Sequence, residues 1–464
     1  MRVEEDFLGK VNVPDNAYYG SFTSRAHANF KLSGIKVHHQ MIVAVAIIKK
    51  CAAKTNVDLA RLDGKIGGAI VKAADEVISG KLDSEFILDA FQAGAGTPLH
   101  MNVNEVIANR AEELLGGKKG EYKLVHPNNH VNMSQSSNNV VPSAVKIAAL
   151  KLAATTLNEA KMLEEAFSKK ANRYKNTMKI GRTHLQDAVP MTYGQVFEAY
   201  QRAIEKDRHE IESALDGLLE LGVGGTAIGS GITAHPKFRE KLIAQIKKET
   251  GLFVKVALNG IEITQNMNDF LSLSAALRRY ATTLSRIAND LRLLVSGPNA
   301  GIAEIVLEEV EPGSSIMPGK VNPSIPEAVN MVSFLVVGND HAIMMAVASG
   351  QLELNFATPL IAYCLLQNLE ILSNCTIMFR RCIDRLEVDE KKTKENFERT
   401  FGYATALNPY LGYSRVSKLV KEAYQRGISL KELVIEKGIM NKVDLEKILS
   451  ITGPSEIDKK IKIS

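Results

Sequence analysis

Cysteine is scarce in this 464-residue chain, and what there is shows no pattern: Cys51, Cys364, Cys375 and Cys382 form neither a CxxC pair nor a Cys/His ligand spacing. That excludes a disulfide-stapled scaffold and marks a reduced, cytoplasmic protein. His38 and His39 are adjacent, HExxH is absent, and no metal site is expected. The opening MRVEEDFLGK has no apolar signal core. No stretch approaches ~18 uninterrupted apolar residues, so no membrane span is expected. Lys and Arg number 57 against 52 Asp and Glu, a net charge of +5, and the signs are interspersed. Without a clustered basic stripe there is no expectation of a nucleic-acid partner. The small positive surplus suits an anionic substrate. Internal repeats and low-complexity segments are also missing.

What is present is a globular composition, 45% apolar and 23% charged. The length exceeds one compact core and predicts two or three domains. Gly and Pro divide the chain. Residues 1–142 mix short helical patterns with Gly, Pro and Asn clusters. Between Pro142 and Gly181 neither residue occurs, and apolar side chains recur at helical spacing through Val145, Ala148, Leu152, Leu163, Phe167, Tyr174 and Met178. At ~1.5 Å per residue such a helix could exceed about 50 Å. Further long patterns cover 194–216, 266–296, 326–349 and 360–400. Several are apolar around much of their circumference, as at Leu291, Leu293, Leu294 and Val295, which calls for burial on several sides. The pattern predicts an all-α protein: an N-terminal domain over 1–142, a central long-helix bundle over 143–400, and a small helical domain over 401–464. A bundle completed by other copies of the chain makes it a homo-oligomer. In the tail, Ser429 and Glu432 form a capping box, Gly438 ends that helix, Asp444 begins another, and IDKKIKIS is a solvated end.

Chemistry concentrates in four segments. Glu311–Pro323, EPGSSIMPGKVNP, lies between two long helices. It brings Ser314, Ser315, Lys320 and Asn322 among Gly313, Pro318, Gly319 and Pro323. A plain connection needs no such set; a glycine-hinged flap that closes over an anion does. Gly94-Ala95-Gly96-Thr97, followed by Met101–Glu105, combines close backbone approach with a hydroxyl. Ser134–Asn139 is a polar run before the longest helix, serving either as an N-cap or as ligand contacts. Gly181–Asp187 places His184 beside Arg182, Thr183, Gln186 and Asp187 in one turn.

EPGSSIMPGKVNP resembles the GSSxMPxKxN signature of the superfamily that includes class II fumarases, aspartases, argininosuccinate lyases and adenylosuccinate lyases. DFLGKVNVPDNAYYG, GRTHLQDAVPMTYGQ, GGTAIGSG, IANDLRLLVSGP and GQLELN resemble its fumarase–aspartase branch, over about residues 3 to 450. The resemblance implies a three-domain lyase whose central bundle tetramerises into a larger multi-helix core. It also implies active sites shared by three subunits, no organic cofactor, and a C4 dicarboxylate converted to fumarate. By the same resemblance Ser314 is the general base at Cβ. Lys320 and Asn322 bind the adjacent carboxylate, with Thr183 and His184 joining from another subunit. Thr97, Ser136, Ser137 and Asn138 hold the other carboxylate and the amino or hydroxyl group.

Elementary chemistry fits those roles. A Cβ proton beside a carboxylate is barely acidic, and its removal puts a second negative charge there. Donors and cations aimed at that dianion are required. Serine serves as a base only where backbone N–H groups and positive charge stabilise its alkoxide in a water-poor site.

The expected reaction is elimination of ammonia from L-aspartate. GAGT at 94–97, the stretch Arg2–Gly20 and Gly350–Asn355 resemble aspartases. His126–Asn129 resembles the fumarases' HPND, so fumarate hydratase is the alternative. Pro98, Asn139, Asn299 and Thr358 depart from the family pattern and leave open a related amino-acid substrate. A non-catalytic helical scaffold is the reading outside enzymology.

Overall fold

In a computed structural model of the chain, which describes residues 1–455, 457, 458, 460 and 461, the architecture is all-α. Long helices dominate: Ser137–Arg173, Tyr193–Leu215, Asn268–Leu294, Ser324–Ala348 and Thr358–Arg385. Strands occur in short pairs, such as the antiparallel Arg2–Asp6 with Gly9–Val13. The chain divides into two compact units. One comprises Met1–Asn158, Asp207–Thr282 and Val332–Asn374; the other comprises Glu159–Lys206, Thr283–Met331 and Cys375–Ser464.

In the first unit, the helix His39–Asp58 carries an almost continuous apolar stretch, MIVAVAII, and buries Met41 through Ile48. It packs against Gly64–Ile78, whose Val57-facing Gly67 has no room for a Cβ: one would lie 2.3 Å from Val57 Cγ2. The helix Ser21–Asn29 starts at Gly20 without a side-chain cap of its own. Glu105 supplies one from a distance. Its carboxylate accepts the N–H groups of Gly20, Phe22 and Thr23 at 2.9, 2.8 and 3.1 Å, satisfying donors that a helix start leaves free. Burial nonetheless raises Glu105 to about 7 against those donors.

In the second unit, Phe167, Phe197, Tyr200 and Phe379 form an aromatic core with ring centroids 5.6–6.5 Å apart. The C-terminal helices build a separate apolar cluster that includes Leu407, Leu430, Leu433, Leu445 and Ile448. The Ser429–Glu432 capping box is present, and Gly438 takes a positive φ of 62°. The last short helix is Lys442–Leu449, capped by Asn441, two residues before the expected start. Of the IDKKIKIS end, Lys459, Lys462, Ile463 and Ser464 lie outside the described residues.

Three expectations are corrected. The longest helix starts at Ser137, ahead of Pro142, which lies inside it and gives up one bond of the ladder near its start. It also stops at Arg173 rather than running to Gly181. Residues Met178–Thr183 and Gln186–Thr192 instead pair as an antiparallel hairpin. Gly194 makes this possible: a Cβ there would lie 2.6 Å from Lys175 Cα and 2.9 Å from Ala171 O, so only glycine lets the next helix start against the end of the first. The pattern over 360–400 is two helices, Thr358–Arg385 and Glu390–Arg399, separated by the strand Glu387–Val388, which pairs with Ile305–Val306.

Run length also understated the apolar content. Ser137–Arg173, Ser324–Ala348 and Thr358–Arg385 reach the length and mean hydropathy of a membrane-crossing helix. In the first and third, most of that stretch is buried inside the protein. In Ser324–Ala348 only 28% is, leaving Met331, Phe334 and Met345 each more than 60% exposed.

Candidate active site

Thr97 and the polar run come together in the first unit. Gly94, Ala95 and Gly96 have φ of 81°, 51° and 80°, a left-handed turn that ends at Thr97, the first residue of the helix Thr97–Leu114. Gly96 presses on the following long helix so closely that a Cβ would lie 2.7 Å from Val141 Cγ1. Ser136, Ser137 and Asn138 sit at the start of that helix, all half-buried. Ser136 is the cap: its carbonyl accepts from Val140 and its Oγ from the Asn138 N–H at 3.3 Å. Asn138 Nδ2 donates to Ala227 O at 2.7 Å, which ties the GGTAIGSG loop to the run. Pro142 cannot donate to the Asn138 carbonyl, which is therefore without its intrahelical partner. Ser137 Oγ lies 2.8 Å from His100 Nδ1.

In the second unit, Ser314, Lys320 and Asn322 occupy one loop closed on itself. The Gly313 N–H donates to Lys320 O at 2.8 Å, and a Cβ on Gly313 would lie 2.7 Å from that oxygen. Lys320 Nζ donates to Asn322 Oδ1 at 2.7 Å, and Asn322 Nδ2 donates to Gly313 O at 2.8 Å. Ser314 Oγ accepts the N–H groups of Ile316 and Met317 at 3.2 and 3.0 Å. Two backbone dipoles aimed at a serine oxygen stabilise its anionic form. Lys320 and Asn322 line an open cleft of about 790 Å³, together with Arg292 and Glu327. Ile316 is 83% exposed in the same loop, an apolar tip facing solvent.

Thr183 and His184, also in the second unit, form the exposed tip of the hairpin. Thr183 pairs with Gln186, and the two loop residues His184 and Leu185 have φ of 55° and 60°. Positive φ at both positions is what a two-residue hairpin loop demands, usually of Asn and Gly. Non-glycine residues held there carry strain of the kind found at functional positions. Among the described residues no hydrogen bond joins Thr183 or His184 to Ser314, Lys320 or Asn322 within one chain.

The hairpin is anchored by a group the sequence did not single out. Glu304, with no exposed surface, accepts from Arg182 Nη2 at 2.5 Å, Asn396 Nδ2 at 3.1 Å and Tyr193 Oη at 2.8 Å. Burial pushes its carboxyl up, but Arg182 and Tyr193 outweigh that and hold it below its ordinary value. Nearby, burial lowers Lys179 to about 8 despite Glu304. A lone acidic residue in an apolar run, GIAEIVL, was the available signal. The second missed pair, Lys49 and His100, is buried in the first unit.

Of the departures from the family pattern, Pro98, Asn139 and Thr358 are buried and Asn299 is exposed. Asn139 Nδ2 donates to Thr264 Oγ1 at 3.0 Å. His126 caps the π-turn Pro127–Val131, accepting from Asn128 and Asn129. No group of three or more His, Cys, Asp or Glu that could hold a metal occurs among the described residues.

With this geometry in place, comparison defines the class. A family profile described as lyase matches residues 9–338, and one described as fumarase C C-terminus matches 404–452. The chain belongs to the aspartase/fumarase superfamily of lyases. Aspartate ammonia-lyase of Bacillus subtilis is 44% identical over 99% of this chain and 96% of its own length. Class II fumarate hydratase of Brucella suis is 41% identical over 97% of each chain. Among solved structures, the fumarate lyase:delta crystallin from Brucella melitensis bound to cobalt superimposes with a TM-score of 0.93 at 43% identity, over 97% of this chain and 98% of that one.

Proposed function

We propose that this protein is an aspartate ammonia-lyase, eliminating ammonia from L-aspartate to give fumarate by a reversible anti-elimination. One observation carries the reading: Ser314 Oγ is held by two backbone N–H groups in the loop that also presents Lys320 and Asn322. In this reading Ser314 takes the Cβ proton as an alkoxide. The electron pair first collects on the neighbouring carboxylate, where Lys320, Asn322, Thr183 and His184 stabilise it. It then forms the Cα–Cβ double bond as the C–N bond breaks and ammonia departs. Thr97, Ser136, Ser137 and Asn138 hold the remaining carboxylate and the amino group. No organic cofactor takes part.

The working form is a homotetramer in which Ser314 of one chain meets the Thr183–His184 tip and the Thr97 and Ser136–Asn138 segments of others. The uncovered apolar side of Ser324–Ala348 supports this, because a monomer rarely leaves such a face to water. The three-part division at 1–142, 143–400 and 401–464 and a cytoplasmic location belong to the same reading. The location is supported by four buried cysteines, none of them in a disulfide.

Aspartate is favoured by relatives named aspartate ammonia-lyase at 44% identity over nearly the whole chain. Malate is the second reading, supported by the fumarate hydratase relative and by the class II fumarase of Schistosoma mansoni, whose structure superimposes with a TM-score of 0.93 at 39% identity over 97% of this chain and 98% of that one. The test is fumarate formation, followed by ultraviolet absorbance, from aspartate and from malate. Turnover of aspartate with at most trace turnover of malate is expected. The reverse preference would make the protein a fumarase, and a folded tetramer inert towards both would point to an altered substrate or a scaffold.

A further inference from the structure

The glycine-rich loop over residues 224–231 lies against the start of the long helix Ser137–Arg173 and is held by three elements. Asn138 Nδ2 donates to Ala227 O at 2.7 Å. Gly229 abuts Gly260, where the helix Gly260–Gln265 begins, so tightly that a Cβ on Gly229 would lie 1.9 Å from Gly260 O. Arg239 Nη2, from the helix Phe238–Thr250, donates to Gly229 O. Within the loop, the Gly231 N–H donates to Gly225 O at 2.8 Å and closes the ring. The guanidinium occupies space that missing side chains leave. A Cβ on Gly225 or Gly260 would lie 2.9 or 2.4 Å from Nη2, and one on Gly224 would lie 2.9 Å from Arg239 Cγ.

Stability alone does not account for an arginine at this position. It lies in the first turn of its helix, where the backbone dipoles oppose a cation, and that helix start has no side-chain cap. Among the described residues no carboxylate pairs with it; burial pushes the guanidinium below its ordinary value and no charge offsets that. Its Nε is buried without a hydrogen-bond partner, which costs free energy that an apolar side chain would not lose. A residue that breaks local rules in this way is expected where function requires it.

What the clasp fixes is the amide of Asn138. A carbonyl can only accept, so Ala227 O selects the Nδ2 end of that amide and leaves Oδ1 as an acceptor for something else. An acceptor suits an ammonium or hydroxyl group and repels a carboxylate. We propose that Arg239 is a positioning residue: by holding Gly229 it keeps the loop seated on Asn138, and so keeps Oδ1 available to the group that departs from Cα. This rests on the lyase reading above, in which Asn138 helps to hold that end of the substrate. With the clasp released the amide is free to turn over and offer Nδ2, which a carboxylate accepts as readily. Arg239 is thereby a determinant of preference for substrates that carry a donor at Cα.

Aspartate and succinate separate selectivity from general disorder of the site, since succinate has both carboxylates and no amino group. In Arg239→Ala the KM for aspartate is expected to rise about ten-fold while inhibition by succinate stays within about two-fold, the loss of one hydrogen bond to a charged group. Asn138→Ala should give the same split, and the double variant no further loss. Arg239→Lys, which keeps a cationic donor on a similar stem, should recover most of the wild-type ratio. Succinate weakening in step with aspartate would overturn the assignment and make Arg239 merely structural. Additive losses in the double variant would overturn it too, because Arg239 would then act apart from Asn138. Should Arg239→Ala fail to fold, Arg239→Met, which keeps the apolar stem over Gly224, decides by the same ratio. If malate is the substrate turned over, it takes the place of aspartate, its hydroxyl being the donor. If the wild type turns over neither, the proposed reaction falls. Calorimetric binding of aspartate and succinate to the same variants then still judges Arg239, with selective loss of aspartate supporting it and equal loss refuting it. A wild type that binds neither refutes both.

Discussion

Replacing Glu304 by Gln tests the foundation of the hairpin. The carboxylate is wholly buried and holds Arg182, one residue before the Thr183–His184 tip, whose guanidinium is only 18% exposed. Gln preserves size and keeps hydrogen bonds to Tyr193 and Asn396 within reach, so the change isolates the charge. An Arg left without its buried partner costs about 3–5 kcal/mol. At ~2–4 °C per kcal/mol, the melting temperature should fall by about 6–20 °C. Because the folded carboxyl is held below its ordinary value, its contribution is present above the unfolded pKa of about 4.3 and is lost as pH falls through the folded value. The deficit of Glu304→Gln should therefore be full at neutral pH and shrink in acid. Thermal unfolding followed by circular dichroism across pH measures both. An unchanged melting temperature at neutral pH, or a deficit constant into the acid range, would refute this account of the anchor.

Other expectations are simpler to check. Ser314→Ala should lower kcat by ~10²–10⁴, the usual contribution of a positioned base, with an unaltered melting temperature, since among the described residues Oγ bonds only within its own loop; full retained activity would remove Ser314 from the base position. Gly194→Ala should destabilise by about 1–3 kcal/mol through overpacking against Lys175 and Ala171, read from denaturant midpoints. Phe334→Asp, at a site 67% exposed in one chain, should shift sedimentation to smaller species and abolish turnover; a variant that still sediments as the wild type does would place the interface elsewhere.

How much of this was legible beforehand differs from element to element. The helices at 194–216, 266–296 and 326–349 matched within two residues, because an apolar repeat over six or more turns leaves one economical way to bury it. The Ser429–Glu432 box was read from four residues, since a capping box is local. The segment 174–181 was misread. It lacks Gly and Pro up to Gly181 and keeps helical spacing, yet its end pairs as the first strand of a hairpin, because strand partners ten to fourteen residues away and the bare Cα of Gly194 outweigh propensity. The single glutamate in GIAEIVL and the first of the two lysines in AIIKKCAA looked incidental. Their importance arises from residues far along the chain: Arg182, Tyr193 and Asn396 for one, His100, Asn132 and Gln135 for the other.

The sequence by itself determined the helical class, the family, and which polar segments carry chemistry. Those follow from periodicity, from short motifs and from residue types that a plain connection does not need. Only the tertiary structure decided that Ser314 Oγ faces two N–H groups, that His184 is held at positive φ on a hairpin tip, and that Asn138 turns its Nδ2 to the loop that Arg239 holds. Each of those depends on the direction of a hydrogen bond or a backbone angle. Such directions are set by partners that sequence order does not bring near, and by burial that raises the cost of leaving any of them unpaired.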